Sequence, residues 1–169
     1  MSVEALHQNG QRFVAEAKYE SAISCFEEMK KLASLNGDER SEAVSLQGLG
    51  IVYNLQGQYA LANGVITQSI DINRRIGNAL GEAESLISLG NMILSKGDYS
   101  RAIENYNSSL SLFRTLSDLN GEGAACHSLG NTYHLIGQYD RAVEMLNRSL
   151  HVSRQIGNSE LESASSQVC

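Results

Sequence analysis

Between residues 43 and 82, apolar and small side chains recur at Leu46, Leu49, Gly50 and Tyr53, the i, i+3, i+4, i+7 spacing of one helix face. The pattern predicts a helix over about 43–56, which Gly57 ends. A second stripe follows at once through Tyr59, Ala62, Ile66, Ile70 and Asn73. Its counterpart one block later, Tyr99, Ala102, Ile103, Tyr106, Leu110 and Phe113, keeps the same period more cleanly. So short a connection between two amphipathic helices forces them to turn back antiparallel. The small residues Gly50 and Ala62 then let the two backbones approach closely.

This pair is written four times in register. Gly10, Gly50, Gly90 and Gly130 are 40 residues apart, as are Tyr19, Tyr59, Tyr99 and Tyr139, and Ala22, Ala62, Ala102 and Ala142. A fixed period of this length predicts stacked helix pairs whose core is a ribbon between neighbours. The expected architecture is an all-α solenoid forming a single array over residues 1–162, with repeats at about 3–42, 43–82, 83–122 and 123–162. Residues 163–169 read as the truncated start of a fifth repeat, the beginning of a ninth helix. Each helix pair is followed by Asn or Asp and, four residues on, by Glu: Asn78 and Glu82, Asp118 and Glu122, Asn158 and Glu162. The former can accept from the free amides of the next helix start, and the latter complements its positive end. The first repeat is more polar than the others, with Asn9 for Leu, Ala17 for Gly and Lys30 for Ile or Leu, as suits an outer repeat. The apolar edge of the fourth repeat is expected to stand partly open and to support self-association.

Charge and composition narrow the class of function. Lys and Arg total 13 against 19 Asp and Glu, a formal charge of −6, so no net positive field draws nucleic acid or anionic lipid. No apolar run approaches the roughly 18 residues of a membrane span, and the start lacks a signal-peptide core, which points to a soluble, cytoplasmic chain without membrane insertion. Cys25, Cys126 and Cys169 fit neither a disulfide framework nor a zinc site, and Cys126 suits a core slot. Gly48 to Gly50 and Gly121 to Gly123 lack the third glycine and the preceding strand of a dinucleotide loop. No local Ser-His-Asp or Cys-His set is present. The expectation is a non-enzymatic protein with no cofactor and no metal.

The strings LQGLGIVYNLQGQYALA, LISLGNMILSKGDYSRAI and CHSLGNTYHLIGQYDRAV resemble the tetratricopeptide repeat, with its Leu-Gly, aromatic and Gly-x-Tyr-x-x-Ala signature. The resemblance runs from residue 3 to residue 162. It departs from the common unit of about 34 residues and from the proline that closes it. Units ending as Arg74 to Asn78 and Arg154 to Asn158 do are similar to those of the Pins-type G-protein signalling modulators, a trait that several other adaptor families share. The resemblance implies a right-handed superhelix of four tetratricopeptide helix pairs whose first helices line a concave groove for peptides or partner helices.

The residues support such a groove independently. A second stripe, not needed for packing within a pair, repeats along the first helices. Its members are His7, Gln11 and Val14, then Gln47, Ile51 and Asn54, then Ile87, Asn91 and Leu94, then His127, Asn131 and His134, and all but Val14 and Leu94 are candidate groove residues. Asn91 and Asn131 match the family's Asn after Leu-Gly, and a side-chain amide both donates to and accepts from an extended backbone. Members that bind acidic chaperone tails carry Lys or Arg along this stripe; here there is none, so no such clamp is expected. His127 and His134 lie roughly 10 Å apart along one helix, too far to share a metal. The function implied is an interaction scaffold or adaptor that binds a peptide or helical segment. The alternative is a structural or oligomerisation module, or a regulatory fragment of a larger repeat protein. Asn63 and Gly64, where later copies have Glu104 and Glu144 at the second position, mark a weak point on an outer face, since a mid-helix Gly costs about 1 kcal/mol relative to Ala.

Overall fold

The computed structural model describes residues 1–166, and the side chains of residues 1–157. They form eight helices: α1 (Val3–Ala15), α2 (Tyr19–Leu35), α3 (Glu39–Leu55), α4 (Tyr59–Arg75), α5 (Ala79–Ser95), α6 (Tyr99–Thr115), α7 (Leu119–Leu135) and α8 (Tyr139–Ser166). There is no strand among the described residues. The helices pair as α1·α2, α3·α4, α5·α6 and α7·α8, and each second helix packs on the next first helix. First helices also touch one another (α1·α3, α3·α5, α5·α7), whereas among the described residues no two second helices do. The first helices therefore occupy the inner side of the curve, and the fold is an all-α solenoid of helix pairs.

A turn every twenty residues makes the frame regular. Ala17, Gly37, Gly57, Gly77, Gly97, Ser117 and Gly137 all adopt positive φ. At each, the next amide donates back five residues, from Lys18 to Phe13 O, Asp38 to Ala33 O, and so on to Gln138 to Tyr133 O, at 2.8–3.2 Å. This is the Schellman ending of a helix, which needs a left-handed residue one past the cap. The donor residue is also the N-cap of the following helix. Asp38, Asn78, Asp98 and Asp118 each accept a backbone amide three residues on, at 3.0–3.3 Å. One short turn thus closes one helix and opens the next. The first helices begin at Glu39, Ala79 and Leu119, four residues earlier than expected for the second repeat, because the caps at 38, 78 and 118 set the start.

Inside each pair, the glycine of the first helix faces a large side chain of the second. A Cβ on Gly10 would meet Phe26, on Gly50 Ile66, on Gly90 Tyr106 and on Gly130 Leu146, all closer than 3.0 Å. Ala22, Ala62, Ala102 and Ala142 are buried beside them. A hydroxyl ladder not visible in the stripe reading reinforces the pairing. Ser69, Ser109 and Ser149 donate to the carbonyls of Ala43, Ala83 and Gly123 at 2.8, 2.7 and 3.0 Å. In the first repeat the matching position is buried Met29. Cys126 fills a fully buried slot, as expected, and burial pushes its thiol above its ordinary range.

Ion pairs add to the apolar contacts. Across repeat boundaries Arg74 on α4 donates to Glu82 on α5 at 2.6 Å and Arg114 on α6 to Oε1 of Glu122 on α7 at 3.1 Å, and within the last pair Arg148 on α8 donates to the same oxygen at 2.9 Å.

Among the described residues the expected ninth helix does not begin. α8 runs as one helix from Tyr139 to Ser166, through Gly157 and Asn158. Gly157 does not take the positive φ of the earlier turns. Those turns are held by the packing of α5 on α4 and of α7 on α6; among the described residues α8 packs on α7 alone, and without that contact the i to i−4 ladder simply continues. The capping roles expected of the Asn158 and Glu162 side chains, and residues 167–169 of the proposed fifth repeat, lie outside what is described.

Candidate functional site: the concave groove

The inner surface of the solenoid holds a groove of about 730 Å³. Four first helices supply its walls: His7 and Gln11 from α1, Val44, Gln47 and Ile51 from α3, Glu84, Ile87, Ser88 and Asn91 from α5, and Asn120 and Ala124 from α7. Phe113 reaches it from α6 past Gly121, where any Cβ would strike the ring. No Lys or Arg belongs to this lining.

Six of the ten candidate groove residues are brought together here: His7, Gln11, Gln47, Ile51, Ile87 and Asn91. Asn54, His127, Asn131 and His134 are not. Asn54 is half-buried one turn further along α3, its Oδ1 shielded and without a hydrogen-bond partner among the described residues. His127 and Asn131 are exposed on α7 and bond each other, Nδ2 to Nε2, at 2.9 Å. His134 stacks at 5.5 Å on Tyr139 across the α7–α8 turn. Among the described residues no group of three His, Cys, Asp or Glu side chains could hold a metal ion.

The stripe reading missed Val44, Glu84 and Ala124. Each lies three residues before a stripe member, at Gln47, Ile87 and His127, and so on the same face one turn earlier. They fall inside the helices expected from 43, 83 and 123 and were passed over because the stripe was counted from the next turn. Asn120 precedes the expected start, and the cap at Asp118 was the signal that would have included it.

Hydrogen bonds fix how the groove amides point. Tyr106, fully buried, donates its hydroxyl to Oδ1 of Asn91 at 2.7 Å. The Asn91 carbonyl is thereby spent, and its two N–H bonds are what it offers to the groove. Burial pushes the Tyr106 phenol up to about 12, so it stays a donor throughout the ordinary pH range. Gln47 Nε2 donates to Ser88 Oγ at 3.2 Å, tying α3 to α5 across the groove floor and leaving the Gln47 carbonyl as an acceptor. His7 presents a shielded Nδ1 with no partner among the described residues. The arrangement offers donors and acceptors flanking Ile51 and Ile87, a surface for an extended or helical backbone with apolar side chains.

Residues 81–155 match the tetratricopeptide repeat family. No curated protein matches the sequence. Among solved structures, the chain is similar to a Rap protein complexed with Competence and Sporulation Factor, with a TM-score of 0.84 at 16% identity over 90% of this chain and 43% of that one. BtubC (BKLC) from P. vanneervenii gives 0.76 at 16% identity, over 92% and 64%. A putative kinesin light chain from Podosopora anserina, with nearly identical repeats of this type, gives 0.71 at 18%, over 90% and 75%. At these identities the likeness is one of fold. The chain spans less than two thirds of the length of the first two.

Proposed function

We propose that the protein is a non-catalytic interaction scaffold whose concave groove binds a protein segment, extended or helical, through apolar anchors at Ile51 and Ile87 and amide hydrogen bonds from Gln11, Gln47 and Asn91. The observation that carries this reading is the groove itself. Four helices of separate repeats converge there on an open surface, with Ile51 still 39% exposed. A solenoid of the same fold holding Competence and Sporulation Factor, the Rap complex, supports it. The reading extends to His127, Asn131 and His134, which share one face of α7 by their spacing. The R-x-x-G-N ending shared with Pins-type modulators has a structural use here, since Arg74 ties its repeat to Glu82 of the next, and it supports an adaptor of that kind.

The test is selection of peptide binders from a displayed library. Binders are expected to lose affinity for an Ile51→Asp, Ile87→Asp double variant while keeping it for Leu61→Ser, an exposed change on α4 outside the groove lining. Helical circular dichroism should be the same for both variants. Binders that do not distinguish the two variants would overturn the groove as the site.

A second reading, self-association, is favoured by one face of α8. Val143 and Leu150 are 57% and 48% exposed, whereas Leu110, at the matching position of α6 and covered by α7, is 5% exposed. Tyr139 is 62% exposed where Tyr99 is 38%. Sedimentation equilibrium should show a concentration-dependent dimer that Val143→Glu with Leu150→Glu abolishes; a monomer at all concentrations removes this reading.

A further inference from the structure

The groove is not electrically uniform. On its α5–α7 side it is lined by Glu84 and Asp118, with Asn120 beside them, and no cation belongs to the lining. The two carboxylates stand differently. Asp118 is already employed, one oxygen accepting the Gly121 amide at 3.2 Å. The Glu84 carboxylate makes no hydrogen bond and no ion pair within 4 Å among the described residues, although it is open to the groove; the residue's backbone carbonyl accepts from Ser88 Oγ at 3.2 Å. Loss of water around it, and then the charge of Asp118, push its carboxyl above the ordinary range, and Arg40 on α3 offsets this only in part. An unpaired carboxylate held where ionisation is disfavoured gains most from a cation delivered with the ligand. A ligand carboxylate would meet repulsion at the same place and find no Lys or Arg elsewhere on the lining.

We propose that the groove's occupant is a protein segment carrying a Lys or Arg side chain, set so that its cation is received by Glu84 with Asp118 behind it while neighbouring apolar residues of the segment rest on Val44, Ile51 and Ile87. This rests on the groove being a segment-binding site. Charge complementarity selects the occupant: the apolar floor alone accepts many sequences, and the acidic edge distinguishes among them. The amides of Gln47 and Asn91 hold the backbone without choosing side chains.

The experiment uses three pools of short isoleucine-containing peptides, acetylated and amidated so that no terminal charge contributes, identical except for Lys, Gln or Glu at one position. Binding is read by fluorescence polarisation. The Lys pool should bind about tenfold more tightly than the Glu pool, the size of one partly screened charge contact. Raising salt from about 50 mM to about 300 mM should shrink that ratio severalfold. Glu84→Gln should remove most of the Lys preference. If the Gln pool binds and Ile51→Asp abolishes it, yet Lys and Glu pools bind alike or Glu84→Gln leaves the preference intact, the charge selection is wrong and the groove reading survives. If no pool binds, or binding ignores Ile51→Asp, the groove reading itself fails and this inference with it.

Discussion

The Tyr106 hydroxyl lies 2.7 Å from Oδ1 of Asn91, joining a fully buried phenol on α6 to an amide that faces the groove on α5. In the other three repeats the position of Tyr106 is held by Phe26, Ile66 or Leu146, none of which can make this bond. Tyr106→Phe is expected to cost about 1 kcal/mol in urea unfolding, a typical net hydrogen bond, and to weaken groove binding by releasing Asn91. The pH dependence has a definite sign. The folded phenol is raised from its ordinary value of 10.0 to about 12, so its stabilisation is complete below about 10 and is lost as pH climbs toward 12. The wild-type urea midpoint should therefore fall more steeply over that interval than that of Tyr106→Phe. Equal slopes would mean that the phenol is not buried as described.

Gly64 sits mid-helix in α4, exposed, with nothing within 4 Å of where its Cβ would stand. The outer-face reading of this position from sequence is what the structure shows. Gly64→Ala should stabilise the protein by about 1 kcal/mol, with no effect on groove ligands. A neutral or destabilising result in urea titration would indicate that something approaches the α4 backbone closely.

Helix pairing was legible because its determinants are local and periodic. Gly50 facing Ile66 and Gly90 facing Tyr106 leave the same spacing in every copy, and the caps at Asn78 and Asp118 are single residue types at fixed offsets. Six of the stripe positions meet in the groove for the same reason. What escaped notice depends on contacts between helices, within a pair or between pairs. Glu84 and Phe113 reach the groove only because α5, α6 and α7 stack, and Ser109 finds the carbonyl of Ala83 across 26 residues of chain. The unbroken course of α8 escaped for a different reason. Gly157 and Asn158 repeat the local signal of Gly77 and Asn78, but that turn also needs a packed partner helix, which no local motif encodes.

Two of the seven left-handed turn residues are not glycine. Ala17 and Ser117 both sit at φ 55. A Cβ in that region meets its own backbone at a cost of roughly 1–2 kcal/mol, partly offset by the smaller entropy that a non-glycine residue loses on folding. Ala17→Gly and Ser117→Gly should each raise stability by about 1 kcal/mol or somewhat less. Gly57→Ala and Gly97→Ala, at φ 72 and 81, should lower it by a similar amount. The sign reversal is the test, read from four urea midpoints. If all four substitutions move stability in one direction, backbone strain is not what sets these positions.

Glu122 is the buried hub of the last inter-repeat contact, its side chain 7% exposed and its Oε1 shared by Arg114 and Arg148. Burial alone would oppose its ionisation. The hydrogen bonds from Arg148 and Arg114 outweigh that, and the carboxyl lies below its ordinary value of 4.5. A carboxyl depressed in the folded state stabilises the protein fully above its unfolded pKa, and that contribution disappears as pH falls through the folded one. Between pH 7 and about pH 3 the wild type should therefore lose more stability than Glu122→Gln, which keeps the volume and one acceptor but cannot ionise. At neutral pH the variant is expected to be the less stable of the two, since two guanidinium groups then face an uncharged amide. Both arginines are half-exposed, so solvent screens the contact and the deficit should be modest. Convergence of the two urea midpoints on acidification is the decisive reading. A gap that stays constant with pH would assign the loss to packing at the α6–α7–α8 junction rather than to the charge.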